Sequence, residues 1–119
     1  MPYNVVNGDL FRWAWLWQKI ADYFEITVGE YPGHPVPLEE KMRDSPAIWA
    51  DIVAKYDLQR IDVDRLASWW HSDADLGRTI ECFTDMTNSR TKGFSAYQQT
   101  TRSFFDVFDE LRFKHIIPV

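Results

Sequence analysis

The chain has 119 residues, a net charge of −5 and no basic cluster, which argues against a nucleic-acid or anionic-membrane partner. No apolar run approaches the roughly 20 residues that span a bilayer, and no secretory leader is visible, so we expect a cytoplasmic protein without membrane segments. The single cysteine, Cys82, excludes an internal disulfide. Aromatic residues make up 16% of the chain, an excess that indicates a large core together with a contact surface. We expect residues 1–119 to form one domain.

The N-terminal sequence predicts a short strand, a turn and a long helix. The segment 3–7 is β-prone, and Asn7-Gly8 is a strong turn signal because both residues tolerate a positive φ. Asp9 then stands where a helix N-cap belongs. The apolar positions of the expected helix recur every three or four residues: Leu10, Trp13, Trp17, Ile20, Ala21 and Phe24.

Phe11 and Trp15 interrupt this pattern, because they form an i, i+4 aromatic pair on the polar side of the predicted helix. One interpretation packs both rings under a loop. The other makes them the contact surface of a domain or subunit interface.

Start signals predict further helices along the chain. Their expected starts are Pro37, Pro46 (with Ser45 as its N-cap), Asp62, Asp85 and Thr101. The helix capped by Asp62 is expected to carry Val63, Leu66, Ala67 and Trp70 on one face. The last helix is expected to turn Phe104, Phe105, Phe108 and Leu111 inward.

Two more short strands are expected at 25–29 and 81–84, the second with Cys82 buried in it. Together with 3–7 these strands are too few to build an independent sheet. The predicted fold class is therefore α+β and mainly helical, with short strands that belong to a sheet outside this chain.

The residues for cofactor, metal and thiol chemistry are sparse. The five glycines never form G-x-G-x-x-G, and no tyrosine is followed four residues later by lysine, so we expect no nucleotide site and no catalytic proton relay. Asp73 and Asp75 either bind a hard cation or belong to a solvated helix end. The three histidines lack a helical ligand partner, so we expect no metal.

The run Trp69-Trp70-His71 has two interpretations. In the first, Trp70 lies in the core, Trp69 at its rim, and His71 forms part of a helix cap. In the second, the tryptophans form the aromatic wall of a pocket for an apolar substrate, and His71 supplies a polar group.

Several local patterns resemble one family. They are Asn4-x-x-Asn7-Gly8-Asp9-x-Phe11-x-Trp13-x-x-x-Trp17, Pro46-x-x-Trp49, Trp69-Trp70 followed by Asp73, Asp85-Met86-x-Asn88-Ser89-Arg90-x-x-Gly93-Phe94, Ser103-Phe104-Phe105 and Ile116-Ile117-Pro118. In this order they resemble the C-terminal region of the progesterone 5β-reductase/iridoid synthase-like (PRISE-type) extended short-chain dehydrogenases/reductases.

The resemblance implies the substrate-binding C-terminal portion of an NADPH-dependent reductase of enones or similar apolar carbonyl compounds. The Rossmann half, which binds NADPH and supplies the catalytic tyrosine and lysine in that family, is absent. The Trp70/His71 position corresponds to an aromatic pocket-lining position, where His71 replaces an expected phenylalanine. Segment 3–6 is expected to pair with the absent sheet.

Two functional hypotheses remain open. The first is a substrate domain that is inactive alone and works with a Rossmann-domain partner chain or as a homo-oligomer. The second is a stand-alone helical binding or dimerisation module with an aromatic contact surface. A metal or thiol enzyme has little support.

Overall fold

A computed structural model describes residues 1–119 and is mainly helical, which confirms the predicted class. The helices are α1 (Trp13–Tyr23), α2 (Leu38–Lys41), α3 (Ser45–Tyr56), α4 (Val63–Leu66), α5 (Trp69–Leu76), α6 (Thr87–Thr91) and α7 (Thr100–Phe113). No helix combines the length and apolar character needed to cross a membrane.

Contacts between residues divide the chain into two compact units, which we describe separately. The first unit comprises residues 1–30 and 82–108, and the second comprises residues 31–81 and 109–119. Helix α7 contributes its first part to the first unit and its last part to the second. That residues 1–119 form one substrate-binding domain stays a prediction.

None of the three predicted strands forms, so the predictions for 3–7, 25–29 and 81–84 were wrong. A strand requires a neighbour that receives its backbone hydrogen bonds, and the chain contributes only one isolated parallel bridge, between Gly8 and Gln98. The β-prone side chains in these segments are exposed, and Cys82 is exposed as well instead of buried.

Helix α1 begins at Trp13, and Asp9 does not cap it. Instead, Asp9 caps α7: its carboxylate accepts the Thr100 backbone N–H at 2.7 Å and the Thr100 hydroxyl at 2.6 Å. The Asn7 carbonyl accepts the Gln98 N–H at 2.8 Å nearby. The capping chemistry of Asp9 was predicted, but its partner lies 91 residues away in sequence and was not.

The core of the first unit lies between α1 and the first part of α7. Leu16 is 1% exposed, and Tyr23 stacks on Phe105 with ring centroids 4.9 Å apart. Phe24 contacts Phe108 at 5.0 Å. The predicted inward face of α7 is therefore correct in this unit.

The predicted apolar face of α1 is only partly buried. Ala21 is buried and Ile20 half-buried, whereas Leu10 precedes the helix and is exposed. Trp13 and Trp17 keep 41% and 43% of their surfaces exposed. The helix therefore leaves part of its aromatic face uncovered.

In the second unit, α3 starts one residue earlier than predicted, with Asp44 as its N-cap and Ser45 as its first residue. It ends at Asp57, whose φ of 51° is left-handed. The Trp49 indole N–H donates to the Ile61 carbonyl at 2.8 Å, which fixes α3 against the segment leading into α4.

The helix predicted to run from Asp62 to Trp70 is two helices. Helix α4 ends at Leu66, and the backbone is extended at Ala67 and Ser68. Ser68 is the N-cap of α5, since its hydroxyl accepts the His71 backbone N–H at 3.4 Å. A second capping residue thus interrupts an apolar pattern that could have continued.

Candidate functional site

The predicted substrate-lining residues lie at the start of α5. Trp69 is half-buried and Trp70 is 63% exposed, which reverses the interpretation that put Trp70 in the core. The His71 side chain is also exposed, and its ring meets the Trp70 ring edge to face, with centroids 5.3 Å apart. An apolar face and a polar ring nitrogen therefore lie side by side on the surface of the second unit.

Asp73 and Asp75, which follow on the same helix, have different partners. One Asp73 oxygen accepts the Leu38 N–H at 2.7 Å and the other accepts the Glu39 N–H at 3.1 Å, so this carboxylate caps α2. Asp75 pairs with Arg78 at 3.1 Å. The two carboxylates therefore do not share a cation, and no group of three or more His, Cys, Asp or Glu side chains could hold a metal.

The predicted interface residues do not form a pair. Phe11 precedes α1, and its ring meets Trp13 at 5.4 Å, so an i, i+4 pair of Phe11 with Trp15 on one helix was a wrong prediction. Trp15 is 64% exposed on the polar side of α1, where Gln18 donates to Asp22 at 2.7 Å. Trp15 is thus a largely exposed indole next to polar side chains.

Sequence reasoning missed a cavity of about 640 Å³ in the second unit. Helices α3 and α4 and the segment between them line it with apolar side chains, including Trp49, Val53 and Leu58, and with charged ones, including Arg60 and Asp62. Its volume is in the range of small-molecule sites, but it is partly open to solvent. It depends on how α3 and α4 pack, which no local pattern in the sequence specifies.

Two carboxyl groups have a lowered pKa, and both lie at helix ends. The Thr87 hydroxyl, followed by the Thr87 backbone N–H at 2.8 Å, lowers the pKa of Asp85 at the start of α6. A hydrogen bond from Lys114 and the charge of that ammonium lower the pKa of Glu110. Both carboxyls are fully exposed and lie outside the predicted substrate-lining residues.

The turn before α1 has a glycine at position 8 with the Arg90 side chain against it. Gly8 has a positive φ of 94°, as a phosphate-binding turn can require, but a Cβ added there would lie 2.6 Å from Nη2 of Arg90. Arg90 itself donates to the carbonyls of Phe94 and Ala96. The backbone conformation at position 8 therefore favours glycine, and the Arg90 guanidinium lies in the space beside it.

No protein-family model matches this chain. Individual relatives do, and they identify it as a homologue of the C-terminal region of the PRISE-type extended short-chain dehydrogenases/reductases, which confirms the resemblance seen in the sequence.

These relatives are (S)-8-oxocitronellyl enol synthases. The chain is 34% identical to the enzyme of Nepeta cataria over 118 residues, 33% identical to one from Camptotheca acuminata over 119 residues, and 33% identical to that of Antirrhinum majus over 117 residues. Each alignment covers 98% of this chain and 30% of the relative. The chain thus spans about 30% of the length of the relatives that it matches.

Proposed function

We propose that this chain is the substrate-binding C-terminal portion of an NAD(P)H-dependent short-chain reductase that acts on enones or similar apolar carbonyl compounds. The observation that carries the proposal is the alignment over 98% of the chain with an (S)-8-oxocitronellyl enol synthase. An alignment of that extent leaves no part of the chain for an unrelated domain.

The proposal assigns the cofactor to another polypeptide segment. The five glycines form no G-x-G-x-x-G pattern, and the tyrosine–lysine relay is missing from the sequence. NADPH and the proton relay therefore belong to a Rossmann half, on a partner chain or elsewhere. We expect the 119-residue chain alone to be inactive.

The proposed substrate contacts are Trp69, Trp70 and His71. The exposed Trp70 ring offers an apolar face for a hydrocarbon skeleton, and the neighbouring His71 ring offers an N–H donor. A hydrogen bond to a carbonyl oxygen polarises the conjugated system, because negative charge develops on that oxygen when a hydride adds to the enone. This arrangement supports an enone better than a saturated hydrocarbon ligand.

One observation favours the second candidate function, a dimerisation or protein-binding module. Trp15 is 64% exposed on a polar helix face, where an indole has no role in the core of the first unit. Trp15, together with the half-buried Phe11 that precedes α1, is the proposed interface, facing either the Rossmann half or a second copy.

The proposed function is tested in a chimaera in which this chain replaces the matching residues of the Nepeta cataria relative. We expect NADPH oxidation that depends on added cyclohexenone, and none from the isolated chain. Trp70→Ala should raise the KM for the enone and leave the KM for NADPH unchanged, whereas Arg102→Ala, on the exposed face of α7, should change neither. A chimaera that binds NADPH but never reduces the enone contradicts the proposal, and so does reduction by the isolated chain.

A further inference from the structure

The carboxylate of Asp73 connects α5 to the start of α2. Each of its oxygens accepts one backbone N–H at the start of α2, at 2.7 Å from Leu38 and 3.1 Å from Glu39. Asp73 is itself only partly exposed. The two oxygens therefore satisfy two of the N–H groups that a helix start leaves without partners.

Helix α2 needs this carboxylate because it cannot cap itself. Its N-cap is Pro37, whose side chain carries no acceptor, and the helix contains only four residues. A helix of that length is not stable alone in water. Its position therefore depends on the contact with α5, and so does the position of the proline-rich segment 31–37 that leads into it.

Asp73 also lies next to the proposed substrate contact. Residues three or four apart on a helix are surface neighbours, so Asp73 is beside Trp70, whereas His71 is beside Asp75. Because Asp73 caps α2, the N-terminal end of α2 lies on the same side of α5 as the exposed Trp70 indole. A shift of α2 would change what borders that ring.

We infer that Asp73 is a positioning residue for the proposed substrate site: it holds α2 and segment 31–37 beside Trp70. The inference rests on the proposed function for the identity of the ligand, an apolar enone. The carboxylate does not need to touch that ligand. It acts by fixing α2 and segment 31–37 next to the Trp70 indole.

Anchoring is tested in the 119-residue chain with Asp73→Ala, Asp73→Asn and the control Asp75→Asn, which removes a carboxylate two residues further on. Trypsin cleavage after Lys41 and Arg43 should be about fivefold faster in Asp73→Ala, the usual effect of a lost helix cap. Asp73→Asn keeps one acceptor oxygen, so its cleavage rate should lie between those of the unsubstituted chain and Asp73→Ala. The NMR chemical shift of the Trp70 indole N–H should change in Asp73→Ala and remain the same in Asp75→Asn.

Positioning is tested in the chimaera with cyclohexenone. Asp73→Ala should raise the KM for the enone about fivefold with little change in kcat, and Asp73→Asn should recover part of the loss. A purely structural role would lower the amount of active enzyme and leave that KM unchanged, which would overturn the inference. An unmoved Trp70 signal with unchanged cleavage would also overturn it. If the chimaera with the unsubstituted chain is inactive, this result counts against the proposed function. The trypsin cleavage and NMR results then decide on their own whether Asp73 anchors α2.

Discussion

In each unit an aspartate that is distant in sequence caps a helix, but the two caps have different roles. In the first unit, Asp9 caps the 14-residue α7, which also packs against α1 through stacked aromatic rings. In the second unit, Asp73 caps the four-residue α2, whose N-cap residue offers no acceptor. A cap on a long packed helix adds stability, whereas a cap on a short helix decides where that helix lies.

The units also differ in how their aromatic residues are used. Rings of the first unit, including Tyr23 and Phe105, contact one another within a core. In the second unit, Trp49 donates a hydrogen bond to the backbone and Trp70 is exposed. Several rings of the first unit thus pack on one another, whereas Trp49 in the second unit acts through a hydrogen bond; each unit leaves one indole, Trp15 or Trp70, mostly exposed.

The largest expected effect is on the core of the first unit. Leu16→Ala removes the most buried side chain and should lower the free energy of unfolding by about 3 kcal/mol, because it leaves a cavity. Urea unfolding followed by circular dichroism measures this. The matched control is the adjacent Trp15→Ala, which should cost less than about 0.5 kcal/mol. Equal losses for both variants would mean that α1 is not packed as described.

The cap on α7 should give the next largest effect. Asp9→Ala removes the acceptor of both Thr100 bonds and should destabilise the first unit by about 1–2 kcal/mol. Amide exchange in the first turn of α7 should rise, while exchange in α2 stays unchanged. Asp22→Ala, on the exposed face of α1, is the control. Faster exchange in α2 would show that the two caps are not independent.

A single hydrogen bond in the second unit should matter less. Trp49→Phe keeps most of the ring but removes the N–H that reaches the Ile61 carbonyl, and we expect a loss of about 1 kcal/mol. Thermal unfolding measures it, with Trp70→Phe as the control that should leave the melting temperature nearly unchanged. A larger loss in the control would contradict the exposed position of Trp70.

The smallest effect concerns pH. The pKa of Asp85 is lowered from its ordinary value of 3.8 by Thr87, so the charged carboxylate stabilises the folded state. This stabilisation is present above the unfolded pKa and is lost as the pH falls through the lower folded pKa. Asp85→Asn should therefore weaken α6 at neutral pH and reduce its change on acidification. Amide exchange at Thr87 measured at pH 7 and pH 3 tests this, and an unchanged pH dependence would count against the cap.

Local sequence signals predicted most helices. A residue that begins a helix, such as Pro46, or follows its end, such as Gly93, affects only the adjacent helical turn and can be recognised from its sequence neighbours. The strands failed, since β-prone segments such as 25–29 need a partner that this chain does not provide. Asp9 was recognised as a cap, but the choice of α7 over α1 depends on a contact across 91 residues.

The residues proposed for the substrate site were chosen from the sequence, and their role stays a prediction, whereas their structural surroundings could not be predicted. Trp70 and His71 were selected from the sequence. One interpretation placed Trp70 in the core and Trp69 at its rim, but the break in the helix at Ser68 leaves Trp69 half-buried and Trp70 exposed. The capping of α2 by Asp73 depends on the packing of two helices separated by 35 residues in sequence. No pattern in one segment contains that information.

Substrate binding by this chain is tested most directly by an NMR titration of the indole N–H signals of the 119-residue chain with cyclohexenone and, separately, with NADPH. A chain that binds the substrate and not the cofactor should show a saturable shift of the Trp70 signal with the enone. All six tryptophan signals should stay in place with NADPH. Shifts caused by NADPH, or an enone titration that leaves Trp70 unmoved, would contradict the account.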